Sequence, residues 1–238
     1  MYNLTRPLFI TDQIEKAFQD YATSQYPKEA CAFVYQDALM IVENVHPEPT
    51  TSFALSAAGN QFMSKAQAFL HSHPDGDMTP SDHDMRTQIA CGIPFGVCLT
   101  KAEGSERITW WGDHLINYPL LDRPFTHGAF DCYSLLRSVY AQERGIILPN
   151  FPREDNWWRG GRDVISEHVE ESGFSVFTGD PEKYDVYIMQ FSSATPPSHI
   201  AINYGDGTII HHLDGGLSKV DYAVRYAKFI NKVYRYNG

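Results

Sequence analysis

The sequence predicts an α+β protein folded as two domains, on three observations. Strand-like and helix-like runs follow one another along 238 residues with no internal repeat and no low-complexity tract. The segment Asn117–His127 carries Pro119 and Pro124, lacks periodicity and divides the chain into near-equal halves. The halves also differ in charge: before residue 120 there are 14 acidic and 7 basic residues, and after it 15 and 12. A junction there gives domains 1–116 and 117–238, each close to the common size of a folding unit.

The N-terminal half opens with Thr11, Asp12 and Glu15, a helix start with acids at the positive end of the dipole. Ile14, Ala17, Phe18 and Tyr21 then form one apolar stripe, which ends at Pro27. Strands are expected at Ala30–Tyr35, Leu39–Val45 and Ser52–Ser56, the first two joined by a tight turn at Gln36–Asp37. A helix over Asn60–Gln67 precedes a short strand, Ala68–Ser72. A second helix runs from Ser81 to about Ala90, before strands at Phe95–Thr100 and Arg107–Trp111. In the other half, Asp131–Arg144 reads as a helix closed by Gly145, and Arg162–Ser172 as one closed by Gly173. Strands are expected at Asp185–Phe191, Ser198–Tyr204 and Thr208–Leu213.

Composition narrows the function. Hydrophobic residues make up 43% and charged residues 20%, as in ordinary globular proteins. A net charge of -10 argues against nucleic acid as a partner, because binding phosphates needs basic patches. The most apolar stretch, Ile89–Leu99, is broken by Gly92, Pro94 and Gly96 and falls short of the ~18–20 residues that span a bilayer. The first residues lack the basic start and apolar core of a secretory signal. Four cysteines are too few for a disulfide scaffold, so folding in a reducing cytoplasm is expected, with Cys31, Cys91 and Cys98 as small buried hydrophobes.

The run His71-Ser72-His73-Pro74, with Ser81 and Asp84 downstream, is the strongest chemical signal. Residues two apart on a strand point the same way, so His71 and His73 can converge on one ion. Asp84, one turn into the next helix, can add an oxygen ligand. Two imidazoles and a carboxylate, with a fourth position for water, make a catalytic zinc set. The metal would acidify that water and polarise a carbonyl, and a carboxylate from another element should act as general base. Ser81 is also placed to be the N-cap of a capping box. These residues match, without a gap, the pattern of the JAMM (MPN) metallopeptidases, which the segment from about 1 to 115 resembles. The resemblance implies a mixed β-sheet with flanking helices, Zn2+ as cofactor, Glu29 as general base and Ser81 as the oxyanion-stabilising residue.

Cys132 opens the helix after Asp131, where the dipole is expected to shift the thiol toward thiolate. His199 is the candidate base, on an alternating strand with Ala201 and Asn203. After the Gly205-Asp206-Gly207 turn, a three-residue loop would pair Ala201 with His211, whereas a two-residue loop would bring His212 round instead. Spacing leaves both open. Asp131-Cys132, His199-x-Ala-Ile and Ile210-His211 resemble the NlpC-type, papain-like cysteine peptidases over residues 121–238. That likeness implies His199 as base, His211 as the residue orienting it, and peptidoglycan stem peptides as substrate. Tyr133-Ser134 and Asn203 depart from the residues common at those places.

The fusion of the two types resembles the tail assembly proteins of long-tailed bacteriophages. Asn150-Phe151-Pro152-Arg153 and the pair Trp157-Trp158 agree with it, the latter as a glycan or partner platform or as core aromatics. The likeness implies other tail-tip proteins as partners, assembly in the host cytoplasm, and action at the virion tail tip or in the host periplasm on entry. Three roles follow: a wall-degrading enzyme, a tail-maturation protease, or a structural tail-tip component with relic sites.

Overall fold

The computed structural model describes residues 5–153, 161–193 and 195–238, so Trp157 and Trp158 lie outside the described residues. The chain divides between Leu115 and Ile116 into two compact units. No helix among the described residues is long and apolar enough to cross a membrane.

The N-terminal unit is a five-stranded sheet in the order β2-β1-β3-β4-β5. Its strands are β1 (Cys31–Tyr35), β2 (Ala38–Val42), β3 (Ala68–Pro74), β4 (Phe95–Lys101) and β5 (Gly104–Trp111). Only β3 and β4 run parallel, joined through α3 (Asp82–Cys91). Helix α1 (Asp12–Gln25) starts where Thr11 Oγ1 accepts the Ile14 N–H at 3.3 Å. It lays Ile14, Phe18 and Ala22 on one sheet face, against Ala32, Val34, Leu70, Ile108 and Trp110. The opposite face carries Phe33, Phe69 and His71, because side chains alternate along each strand. Helix α2 (Ala57–Met63) packs there through Phe62, whose ring stands 5.3 Å from that of Phe33.

The expected strand at Ser52–Ser56 is absent. Asn44 stands in for the ladder: its Oδ1 accepts the Ala54 N–H at 3.1 Å and its Nδ2 donates to Ser52 O at 3.0 Å. Beside them runs one backbone bond, from Val45 N–H to Ala54 O. The helix read at Asn60–Gln67 lies three residues earlier, capped by the Ser56 hydroxyl on Gly59 N–H. Cys31 and Cys98 are buried as expected, but Cys91, the last residue of α3, is partly exposed.

Gly96 on β4 shows how tight this core is. A Cβ there would meet Leu70, Ile108 and Trp110 side-chain carbons at 2.7–2.9 Å. Gly96→Ala is expected to destabilise the unit by about 1–3 kcal/mol, read as a lower urea midpoint. An unchanged midpoint would mean that the sheet relaxes freely at this point.

The C-terminal unit is a six-stranded sheet in the order β10-β9-β8-β7-β11-β6. Its strands are β6 (Phe174–Val176), β7 (Val186–Met189), β8 (His199–Gly205), β9 (Thr208–His211), β10 (Lys219–Tyr222) and β11 (Ile230–Tyr236). Helix α4 (Cys132–Arg144) covers one face, packing Leu135, Leu136, Val139 and Tyr140 on Ile188, Ile200, Ile202, Ile210 and Tyr234. It ends at Gly145, whose left-handed backbone (φ 66°) suits glycine. Helix α5 (Val164–Glu171) adds Val169 to the same core. Ala201, Ile209, Tyr187 and Met189 face the other way, under Tyr226 and Phe229.

Candidate active sites

In the N-terminal unit, β3 delivers both histidines to the face opposite α1. His71 is fully buried and its ring is walled by Phe53 at 5.0 Å, Phe69 at 6.0 Å and Trp111 at 6.0 Å. His73 Nδ1 faces the backbone oxygen of Asp77 at 2.9 Å, so Nε2 turns inward. The two Nε2 atoms stand 3.0 Å apart. Asp84, at the third position of α3, reaches His71 Nε2 with Oδ1 at 3.2 Å and His73 Nε2 with Oδ2 at 3.3 Å.

These three are the metal-capable group found among the described residues, their donor atoms all within 4.8 Å of one another. A tetrahedral ion with bonds of ~2.0–2.1 Å spaces its ligand atoms roughly 3.3 Å apart, which is the spacing seen here. The donor set of two nitrogens and one oxygen therefore fits. Burial would raise the Asp84 pKa, but the two imidazoles outweigh it and hold the carboxylate well below the usual range. Burial lowers His71, while the hydrogen bond and charge of Asp84 overcome burial and raise His73.

Ser81 caps α3 and forms the capping box foreseen as its alternative reading. Its Oγ donates to Asp84 Oδ2 at 2.6 Å, and its N–H donates to the same oxygen at 2.8 Å. Glu29, just before β1, is buried and lines a cleft of about 310 Å³ together with Ser52, Phe53, His73, Ser81 and His83. Burial, reinforced by the Asp84 charge and opposed by His73, pushes its carboxyl up to about 7. The sequence reading missed Phe53 and His83 as cleft walls. Phe53 lies in the segment taken for a strand, and nothing in its spacing points to His71.

In the C-terminal unit the hairpin resolves which histidine joins His199. The turn has a two-residue tip, Asp206-Gly207, but an irregularity between Asn203 and Gly205 shifts the register and pairs Ala201 with His211. His199 Nε2 then lies 3.3 Å from His211 Nδ1. His212 points to the other face, with its ring 5.3 Å from Phe125.

Cys132 is the first residue of α4, and the Ile200 backbone N–H bonds to its sulfur, placing the thiol beside the strand that starts with His199. Its charge state corrects the sequence reading. Burial, with Asp131 adding to it, pushes the thiol up to about 12, so the helix N-terminus does not produce a resting thiolate. Burial likewise lowers His199 to about 3 and His211 to about 4. Thiol and imidazoles rest neutral.

That neutrality predicts acid sensitivity. The folded histidines hold protons less well than unfolded ones, whose pKa is ~6.5. Their contribution is fully present above that pH and is lost as pH falls toward the folded values. Below ~6.5 each group should cost about 1.4 kcal/mol per pH unit. His199→Gln should flatten the slope of unfolding free energy against pH, and an identical slope would contradict the assignment.

Behind Cys132 lies an ion pair that the sequence did not announce. Arg153 Nε donates to Asp131 Oδ2 at 2.6 Å, and its Nη2 donates to Gly128 O at 2.9 Å. Asp131 also accepts the N–H groups of Gly128 and Ser134, at 2.9 and 2.8 Å. The spacing of the Asn150–Arg153 run does not reveal that Arg153 clamps the cap of α4.

Residues 11–111 match the prokaryotic homologs of the JAB domain, and residues 122–236 match the NlpC/P60 family. The tail tip assembly protein K of Escherichia phage N15 is 32% identical over 230 residues, covering 92% of this chain and 93% of that one. This chain belongs to the tail tip assembly protein K family. The family's member from Escherichia phage lambda is 35% identical over 153 residues, covering 64% of this chain and 72% of its own. An NlpC/P60 family protein from Bacillus cereus, known from a crystal structure, is 13% identical and covers 91% of this chain and 66% of its own, with a TM-score of 0.30. A JAB-like domain followed by an NlpC/P60 domain is the fusion that the two sequence motifs indicated. NlpC/P60 is a cysteine peptidase family and JAB-like domains are often peptidases, which supports a hydrolase.

Proposed function

We propose that this protein is a phage tail-tip peptidase that hydrolyses peptidoglycan stem peptides at Cys132, with His199 as base and His211 orienting it. The observation that carries this reading is the 3.3 Å contact of His199 Nε2 with His211 Nδ1, on the strand whose Ile200 N–H meets the Cys132 sulfur. Because thiol and imidazole rest neutral, His199 takes the Cys132 proton as the sulfur attacks rather than holding a preformed ion pair. A bond forms between Sγ and the acyl carbon, the leaving amine receives the proton from His199, and water then releases the acid.

The N-terminal unit is proposed as a zinc-dependent (iso)peptidase acting in tail assembly or entry. His71, His73 and Asp84 would hold Zn2+, Glu29 would move the proton of the attacking water, and Ser81 would keep Asp84 through its N–H while its hydroxyl turns from Asp84 to the oxyanion. The ion, when bound, supplies Lewis acidity to the carbonyl and the water. The relatives' name supports other tail proteins as partners; assembly in the host cytoplasm and action at the tail tip or in the host periplasm are proposed in addition. The neutral thiol favours a second reading, a mainly structural tail-tip protein or maturation protease with weak wall activity.

Digestion of purified peptidoglycan separates these readings. Wild type and Glu29→Gln are expected to release stem-peptide fragments, whereas Cys132→Ala releases none. Equal release by wild type and Cys132→Ala would overturn the wall-degrading role. Normal tail assembly with both Glu29→Gln and His71→Ala would overturn the assembly role of the metal site.

A further inference from the structure

Strand β10 brings a charged cluster against His211. Lys219 lies directly across from His211 and Asp221 across from Ile209, so both acidic and basic side chains share the face of His211. His211 is completely buried, and while Nδ1 meets His199, its Nε2 has no hydrogen-bond partner among the described residues. The Tyr226 ring stands edge-on at 4.8 Å from the His211 ring, and its hydroxyl donates to Asp221 Oδ2 at 3.3 Å. Asp221 is itself fixed, accepting from Tyr222 N–H at 2.8 Å, Arg225 Nη1 at 2.7 Å and Lys219 Nζ at 3.2 Å. Its side chain is only 8% exposed.

We propose that Asp221 is a positioning residue for the cysteine peptidase site, holding His211 through Tyr226 and supporting positive charge on the His199–His211 pair, with Lys219 opposing it. This rests on the reading that Cys132, His199 and His211 act together. The groups that face His211 are His199 from β8, Lys219 and Asp221 from β10, and Tyr226 beyond it, while its chain neighbour His212, turned to the other face, acts on it only through charge. Of these named groups Asp221 is the anion. A proton passed from Cys132 to His199 creates an imidazolium among groups that disfavour it, and a fixed carboxylate two strands away counters that. The ammonium of Lys219 acts with the opposite sign.

The test is alkylation of Cys132 by iodoacetamide in the full chain, followed across pH by peptide mass spectrometry. Asp221→Asn is expected to slow the reaction about fivefold and move its rate profile to higher pH, whereas Lys219→Met speeds it about twofold and moves it the other way. A structural role alone would move both variants in the same direction, which would overturn the proposal, as would unchanged profiles. Faster alkylation of Asp221→Asn would also overturn it, since the thiol would then ionise without the pair. If Asp221→Asn does not fold, Lys219→Met, altered at an exposed side chain, still decides by its sign. His199→Ala separates the two levels: a wild-type rate would sink the three-residue site itself, while a slow His199→Ala beside an unaffected Asp221→Asn would sink only the Asp221 inference.

Discussion

Replacing Arg153 by methionine is expected to destabilise the C-terminal unit by about 3–5 kcal/mol, because it strands the Asp131 carboxylate in the interior. Only 3% of the Asp131 side chain and 10% of the Arg153 side chain reach solvent. Burial would raise the Asp131 pKa; the Arg153 charge and the Gly128 and Ser134 N–H bonds hold it down. With the guanidinium gone, Gly128 O also loses its donor. Against a typical domain stability of about 5–15 kcal/mol, the change removes a large share. Denaturant unfolding reads it directly. The double variant Asp131→Asn/Arg153→Met should recover part of the loss, since no charge is then left unpaired. Equal losses in the single and double variants would show that Arg153 matters only for its packing.

The second large effect concerns the metal. Wild-type protein purified with zinc is expected to hold about one ion per chain by elemental analysis, and His71→Ala and Asp84→Ala close to none. A chelator should lower the unfolding temperature of the N-terminal unit in the wild type and leave both variants unmoved. At a free zinc concentration of ~1,000 times Kd, the bound ion is worth about 4 kcal/mol. Wild type without stoichiometric zinc, or variants that retain it, would remove the metallopeptidase reading while leaving the Cys132 chemistry untouched.

The sequence disclosed what local rules govern. Thr11, Ser81 and Asp131 each announced a helix, and each accepts the N–H three residues on. The alternation at His71 and His73 foretold a shared face, and Asp84 completes it. What escaped was tertiary. The thiol of Cys132 was read from its helix position, but burial decides its charge. Counting turn residues could not choose between His211 and His212, because a bulge before the tip reset the register. Strand β10 is four residues long, and β11 breaks its pairing between Ile230 and Lys232, so neither gave a periodic signal. Arg153 and Asp131 meet across 22 residues, a distance that no local pattern encodes.

The ladder joining β1 to β3 pairs Cys31 with His71 and so fixes which side chains of β3 look away from α1. Were the strand to slide by a single residue, Ser72 would take the place of a histidine beside Asp84 and both imidazoles would be driven among Phe18, Ala32 and Trp110. Such a slipped sheet would be penalised twice, by lost apolar packing and by two stranded rings. Correct threading of this strand and assembly of the His71–His73–Asp84 cluster are thus a single event, and a misthreaded chain has no partial version of it to offer.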